Sequence, residues 1–528
     1  MQERQILLTG GPVWTGDRTV DALGIRDGRV VAAGGVDEVR EALGPGFEEI
    51  DIDGRRAVPG LIDSHVHVLR AGLTWNQTVR WDDVASLQEG LERIGAAAAS
   101  RPAGAWTRVL GGWHPGRFEE GRGPSRFELD QVAGDQPVYV QLLYEEGLLN
   151  SAGIGRILAG GDLEGVERGA NGEPTGRITG PAAFRRVLSL FEQPSRDEEA
   201  ASTGALIEDF ASRGVTGAID PGGFGITPES YTTMFGLWRR GELGMRIRLY
   251  LVPGTPGDEL ADIRHWVRYV QPGFGDDMLR YVGMGEILSF ACHDMEGVTP
   301  FTVSDAARKQ LAEITDVLAA HGWPIHLHAI LDDTISAVLD VWEEADRVHG
   351  LVGRRFSLAH AEAIGRANLE RVERLGVGMA IQNRLMFRSA DSAAMWGEEV
   401  AHNSPPLGDI LDLGIPLGAG TDATVVTPHN AWDAIWWLVS GKSYDGAPPR
   451  AERHRLTIEQ ALTAYTRGSA WFSFEEDRRG HLEPGAWADV AVLDHDPFTI
   501  ETDRLPEIRS ALTLLGGVPT HRGPAFAG

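Results

Sequence analysis

The chain has 528 residues, 42% of them hydrophobic, and its 76 acidic against 49 basic side chains leave a formal net charge of −27. Such a balance repels phosphate backbones and anionic lipid surfaces, which excludes nucleic acid and membranes as expected partners. The single cysteine, Cys292, excludes an intramolecular disulfide and any thiolate-rich metal site, so metal ligands have to be His, Asp or Glu.

The opening residues, MQERQILLTG, have neither the basic end nor the long apolar run of a signal peptide. No stretch of about 18 apolar residues follows, so the expected location is the cytoplasm. Short strands are predicted at 6–8, 22–26, 30–33 and 48–52, with Asp27-Gly28 and Asp53-Gly54 as turns. The far end has the same texture, with strands at 489–493, 508–515 and 518–521 around Gly516-Gly517. The expectation is one composite β-sandwich domain formed from both termini, residues 1–57 and 476–528.

Between them, strand-like runs alternate with helical patterns. Eight runs stand out, at 58–66, 215–219, 246–252, 281–288, 323–328, 356–360, 376–381 and 415–420. Amphipathic segments follow most of them. In 304–320, Ala306, Leu311, Ile314, Val317 and Leu318 recur at helical spacing. Eight β-then-α units predict an α/β fold, a (β/α)8 TIM barrel over 58–475, with a doubly wound sheet as the alternative. The long gap between the first two runs marks residues 70–194 as a large insertion after the first barrel strand, a lobe over one barrel mouth.

The motif Ile62-Asp63-Ser64-His65-Val66-His67 ends the first barrel strand. Residues two apart share a face, so His65 and His67 both point into the barrel at its carboxyl end, where two imidazoles can grip one cation. An HxH pair is weak evidence by itself. Position strengthens it, because His65 and His67, His326 and His328, His360, and Asp422 in Gly420-Thr421-Asp422 each fall at a different strand end. His326 reads as an interior residue beside the ligands, and Asp422 has a competing structural reading as a helix cap. His114, His293 and His429 read first as surface or packing residues, although His293 and His429 lie just past strand ends and can line a substrate site.

At these residues the sequence resembles the amidohydrolase superfamily, in the amidohydrolase 3 branch that includes N-substituted formamide deformylase-like enzymes. The resemblance rests on Val58-Pro59-Gly60-Leu61-Ile62-Asp63-Ser64-His65-Val66-His67, His328-Ala329 with Asp332, Ala359-His360 and Gly420-Thr421-Asp422. Asn171-Gly172-Glu173-Pro174-Thr175-Gly176 and Gly480-His481-Leu482-Glu483-Pro484-Gly485 add to it. It implies a metal-bearing barrel in which His65, His67, His328 and His360 are ligands and Asp422 both touches the metal and handles the proton.

Two departures matter. Many relatives carry on the fourth strand a carbamylated lysine that bridges two metals, whereas this run reads Gly283-Met284-Gly285-Glu286-Ile287. Glu286 offers a two-oxygen bridge in its place. The competing reading is a mononuclear site held by His65, His67 and Asp422. Relatives also often show a histidine shortly before the position of Asn150-Ser151, where this chain has Tyr144-Glu145-Glu146-Gly147.

The expected activity is metal-dependent hydrolysis of a non-peptide, amide-like C–N bond in a small molecule, of the N-acyl or N-formyl amine type. A divalent metal, one or two ions and zinc by preference, supplies a metal-bound hydroxide, and Asp422 is the general acid and base. Candidate substrate contacts are Trp113, His293, Asn383 and Arg384; Trp75, Trp81, Trp106 and Trp113 form either an aromatic lid or the insertion's own core. The alternatives are a metal-assisted decarboxylase or isomerase, and a non-catalytic scaffold. A homo-oligomer stays open, since Trp436 and Trp437 face either a subunit interface or the barrel.

Overall fold

A computed structural model describes residues 4–527. Its central sheet holds eight strands: β1 (Leu61–Asp63), β2 (Val215–Asp220), β3 (Arg246–Leu251), β4 (Leu279–Glu286), β5 (Ile325–Ala329), β6 (Ser357–His360), β7 (Gly378–Gln382) and β8 (Leu417–Gly420). They pair in sequence order, each parallel to its neighbour. Between β8 and β1 the ring closes through single backbone bonds, Ser64 N–H to the Ala419 carbonyl (3.1 Å) and Asp422 N–H to the His65 carbonyl (2.8 Å). The Asp63 carboxylate pins the same seam, accepting from the Thr421 N–H (3.1 Å) and hydroxyl (2.6 Å). The architecture is therefore the closed barrel and not the doubly wound sheet.

One expected strand is really two. The run at 58–66 divides between Arg56–Pro59, which pairs antiparallel with Val490–Leu493, and β1, which pairs with β2. Gly60 makes the crossing, since a Cβ there would lie 2.2 Å from Thr216 Oγ1. An apolar run buried throughout looks the same whether it serves one sheet or two, so periodicity does not reveal the break.

The helix after β4, Asp305–Ala320, starts where the Ser304 hydroxyl accepts the Ala307 N–H (3.2 Å). It buries Ala307, Leu311, Ile314 and Leu318 against the barrel, while Ala306 is exposed, so the stripe begins one residue later than the spacing suggested. Helices Asp332–His349 and Arg366–Leu375 follow β5 and β6.

Both termini build a two-sheeted body. One sheet orders Arg29–Gly34, Ala22–Arg26, Gln5–Thr9 and Glu48–Asp51; the other places Val518–Arg522, Ser510–Leu515 and Val490–Leu493 beside Arg56–Pro59, Val13–Trp14 and Thr19–Val20. Ile6, Leu8, Leu23 and Ile25 share one buried cluster with Val490, Val492, Leu512 and Leu514, which ties the two ends of the chain together.

Between β1 and β2 lies a five-stranded mixed sheet, from Thr107–Leu110 to Pro174–Thr179, with helices such as Leu87–Ser100 and Arg126–Ala133 on it. Trp81 and Trp113 fill one of its apolar clusters and Trp106 the other. Gly112 N–H bonds to the Val425 carbonyl (3.1 Å), which sets this lobe against the loop after β8. Trp436 and Trp437, on helix Ala431–Ser440, are buried within the chain, Trp436 stacked on Tyr444, so neither offers an exposed interface. Among the described residues, no helix is long and apolar enough to cross a membrane.

Candidate metal centre

Six buried side chains meet at the carboxyl ends of the strands: His65 and His67 just past β1, Glu286 closing β4, His328 on β5, His360 closing β6 and Asp422 just past β8. Gly420 permits the approach of β8 to β1, because a Cβ there would lie 2.5 Å from the His65 nitrogen. His360 (φ 69°) and Asp422 (φ 56°) hold left-handed backbone conformations, at about 1–2 kcal/mol each. Hydrogen bonds hold both, His360 N–H to Gln382 Oε1 (2.8 Å) and Asp422 N–H to the His65 carbonyl (2.8 Å).

Glu286 lies at the middle. Its Oε1 is 3.5 Å from His67 Nε2, and its Oε2 is 3.4 Å from His65 Nε2, 3.6 Å from His328 Nδ1 and 3.7 Å from His360 Nε2. Asp422 Oδ1 is 3.0 Å from His67 Nε2 and 3.7 Å from His65 Nε2. The edge of a tetrahedron with bonds of about 2.05 Å is about 3.3 Å, so these are the spacings of ligand atoms around a cation. Three trios have donor atoms within 4.8 Å of one another: His65 with His67 and Glu286, Glu286 with His328 and His360, and His65 with His360 and Asp422.

The outward nitrogens of His65, His67 and His328 are held by protein groups, whereas His360 Nδ1 is buried without a partner. His67 Nδ1 donates to the Gly222 carbonyl (2.8 Å), and Gly222 N–H in turn donates to Asp220 (2.9 Å). His328 Nε2 lies against Asp294 Oδ1 (3.0 Å) and the Met295 carbonyl (2.9 Å). For His65 the chain is longer. Ser357 Oγ–H donates to the Ile325 carbonyl (3.2 Å), His326 Nδ1 donates to Ser357 Oγ (2.8 Å), and His326 Nε2 accepts from His65 Nδ1 (2.9 Å). His65 Nε2 is thereby left facing the centre, buried and without a hydrogen-bond partner. A buried orphan acceptor facing carboxylates fits a missing cation, and the all-N/O donor set suits a divalent one.

Charges at the centre respond to this crowding. Burial pushes the Glu286 carboxyl up, but the surrounding imidazoles outweigh it and hold the group well below its usual range. Burial likewise opposes ionisation of Asp422, and the bond from His67 with the charges of His65 and His360 brings it down. His328 is lowered by burial but carried up to about 10 by Asp294 and Glu286, and burial with His65 drives His326 well below the usual histidine value.

The cleft above is lined by His67, Glu286, His328, His360 and Asp422 and by Arg70, Tyr144, Phe224, His293, Glu296 and Arg384. His293 stacks on His328 at 3.9 Å and lines the cleft. Arg384 also lines it, with its guanidinium held by Glu362 and by the Glu296 carbonyl (2.6 Å). Two expected contacts lie elsewhere. Trp113 is buried inside the insertion, stacked on Phe118 and donating to the Gln141 carbonyl (2.8 Å), because its apolar surface is better covered there than at a wet rim. Asn383 is buried against Met386 and does not line the cleft. His429 packs against Asp209 and Trp75, away from it. Asp294, Asp220, Arg70 and Tyr144 were not singled out; only Tyr144 had a signal, as a departure from the family pattern.

A closed barrel with this donor set defines an enzyme dependent on a divalent metal and acting on a small molecule. A sequence model described as the amidohydrolase family matches residues 48–521, and the chain belongs to that family. It is a metal-dependent hydrolase of that family. Over 534 residues it is 26% identical to an N-substituted formamide deformylase of Arthrobacter pascens, covering 95% of this chain and 96% of that one. An uncharacterised metal-dependent hydrolase of Pyrococcus furiosus shares the fold, with TM-score 0.68 and 24% identity over 94% of this chain and 100% of that one. The atrazine chlorohydrolase TrzN of Arthrobacter aurescens TC1, solved with zinc, gives TM-score 0.57 and 18% identity over 99% and 97% of the two chains.

Proposed function

We propose that the chain hydrolyses a non-peptide amide of the N-acyl or N-formyl amine type, at a centre where His65, His67 and Asp422 would hold one divalent cation and His328 and His360 a second, with Glu286 in reach of both. The observation that carries this reading is the placement of Glu286, whose two oxygens lie 3.4–3.7 Å from four imidazole nitrogens. Zinc suits nitrogen and carboxylate donors at tetrahedral spacing, and the triazine hydrolase relative was solved with that ion.

When bound, such a cation polarises a carbonyl and lowers the pKa of a coordinated water toward about 7. Asp422 takes the proton from the attacking water and returns it to the departing nitrogen, a role that suits a carboxylate kept ionised by its histidine neighbours. His65, His67 and His328, whose outward nitrogens are held by protein groups, spare the site the cost of reorganising during the reaction. His293, Phe224 and Arg384 shape the cleft around the acyl and amine portions.

The likeness to the formamide deformylase supports the choice of bond. The test is a panel of N-formyl and N-acyl amines assayed beside β-keto and aromatic carboxylates with the metal-loaded protein. Amine release from the first group is the expected result. Decarboxylation without any amide turnover would replace this reading with the lyase alternative.

A further inference from the structure

Two arginines line the cleft, and they differ in what they already hold. Arg384 is saturated by Glu362 and Glu296. Arg70 sits in the helical turn Val68–Gly72, one turn past His67, and no carboxylate of the described residues lies within 4.0 Å of it. The acids around it have other partners: Glu296 pairs with Arg384, Glu145 with Arg388 (2.6 Å), and Glu286 and Asp422 with the imidazoles. Its guanidinium carbon lies 6.0 Å from the ring of Tyr144, which lines the same cleft.

A guanidinium cannot shed its proton, and Arg70 feels Asp422 and Glu286 only beyond contact distance, so its fork remains open to an anion that reaches it. Its planar fork matches a carboxylate in two-point geometry, and the Tyr144 hydroxyl adds a donor at its side. In a chain of net charge −27, Arg70 places a positive charge in the lining of the active cleft. We infer that Arg70, with Tyr144 beside it, receives a carboxylate carried by the substrate, so that the amide hydrolysed here bears an anionic end. This rests on the metal-dependent amidase reading above, and the departure at Tyr144-Glu145-Glu146-Gly147 in the insertion belongs to the same specificity.

The test uses ligands that reach both ends of the cleft without being turned over. Succinic, glutaric and adipic monohydroxamates are titrated calorimetrically into the metal-loaded protein, each beside its methyl ester, so that the hydroxamate anchors on the metal and the far group samples Arg70. The expected result is that at least one free acid binds on the order of 10- to 100-fold tighter than its ester. The ratio falls to about one in Arg70→Met and is partly kept in Arg70→Lys, which controls for misfolding. Equal binding of every acid and ester by the wild type, or an unchanged ratio in both variants, overturns the assignment of Arg70 and leaves the hydrolase reading standing. Failure of acids and esters alike to bind removes the metal centre, and the inference with it.

Discussion

His326 Nε2 accepts a hydrogen bond from His65 Nδ1 at 2.9 Å, so a histidine that is not itself aimed at the centre dictates which nitrogen of His65 faces it. The relation depends on His326 staying neutral, which burial and the neighbouring His65 enforce. Replacing His326 with Phe keeps a ring of similar size but removes the acceptor, freeing His65 to reverse its tautomer. Outer partners of metal ligands are typically worth 10- to 100-fold in affinity. We expect a loss of about that size in His326→Phe, measured by competition with a chromogenic chelator, and unchanged affinity would show that His65 is oriented by other means.

Asp422→Asn retains the shape of the side chain and one oxygen for the cation but cannot take a proton at neutral pH. Turnover should fall by about 10^2- to 10^4-fold with most of the metal retained, as read from steady-state rates beside elemental analysis. Residual activity within a few-fold of wild type would assign the proton to another group.

Proton release on metal binding follows from His328. In the metal-free protein its folded value of about 10 lies above the ordinary histidine value near 6.5. Stability from the protonated ring is thus fully present below about 6.5 and lost as pH rises through about 10. Ligation needs the neutral ring, so between pH 7 and 9 the cation displaces that proton and binds more tightly as pH rises. Calorimetric titration in buffers of differing ionisation enthalpy should count about one proton from this group, and buffer-independent heats would contradict it.

Asp63 carries a stability prediction. It is fully buried and accepts from the Thr421 N–H and hydroxyl and from the His65 N–H (3.0 Å), all at the seam between β8 and β1. Asp63→Ala orphans these donors at once and should cost roughly 2–4 kcal/mol, seen as a lower urea midpoint; a loss below 0.5 kcal/mol would mean that the seam closes without it.

Much of this was legible in the sequence because the barrel repeats one signal. Each strand is a short apolar run buried on both faces, each is followed by a helical stripe, and the chemistry sits where the runs stop. That placed β2 through β8 to within a few residues and brought His65, His67, Glu286, His328, His360 and Asp422 to strand ends that do converge. What stayed hidden depends on contacts between distant segments. Gly60 divides one apolar run between two sheets through its packing on Thr216, which no local pattern records. Trp113 looks alike in a lid and in a core until Phe118 and Trp81 are seen beside it. Asp294, in a loop, and Asp220, at the end of β2, act by holding a histidine ring or the carbonyl that does, so nothing in their spacing sets them apart from the chain's other acids.

The central claim is that Glu286 is shared by two cations. Elemental analysis of protein purified without chelator and loaded with zinc, wild type beside Glu286→Ala, tests it most directly. The account predicts about two equivalents per chain in the wild type and one or fewer in the variant, with circular dichroism unchanged. The same stoichiometry in both proteins would contradict it.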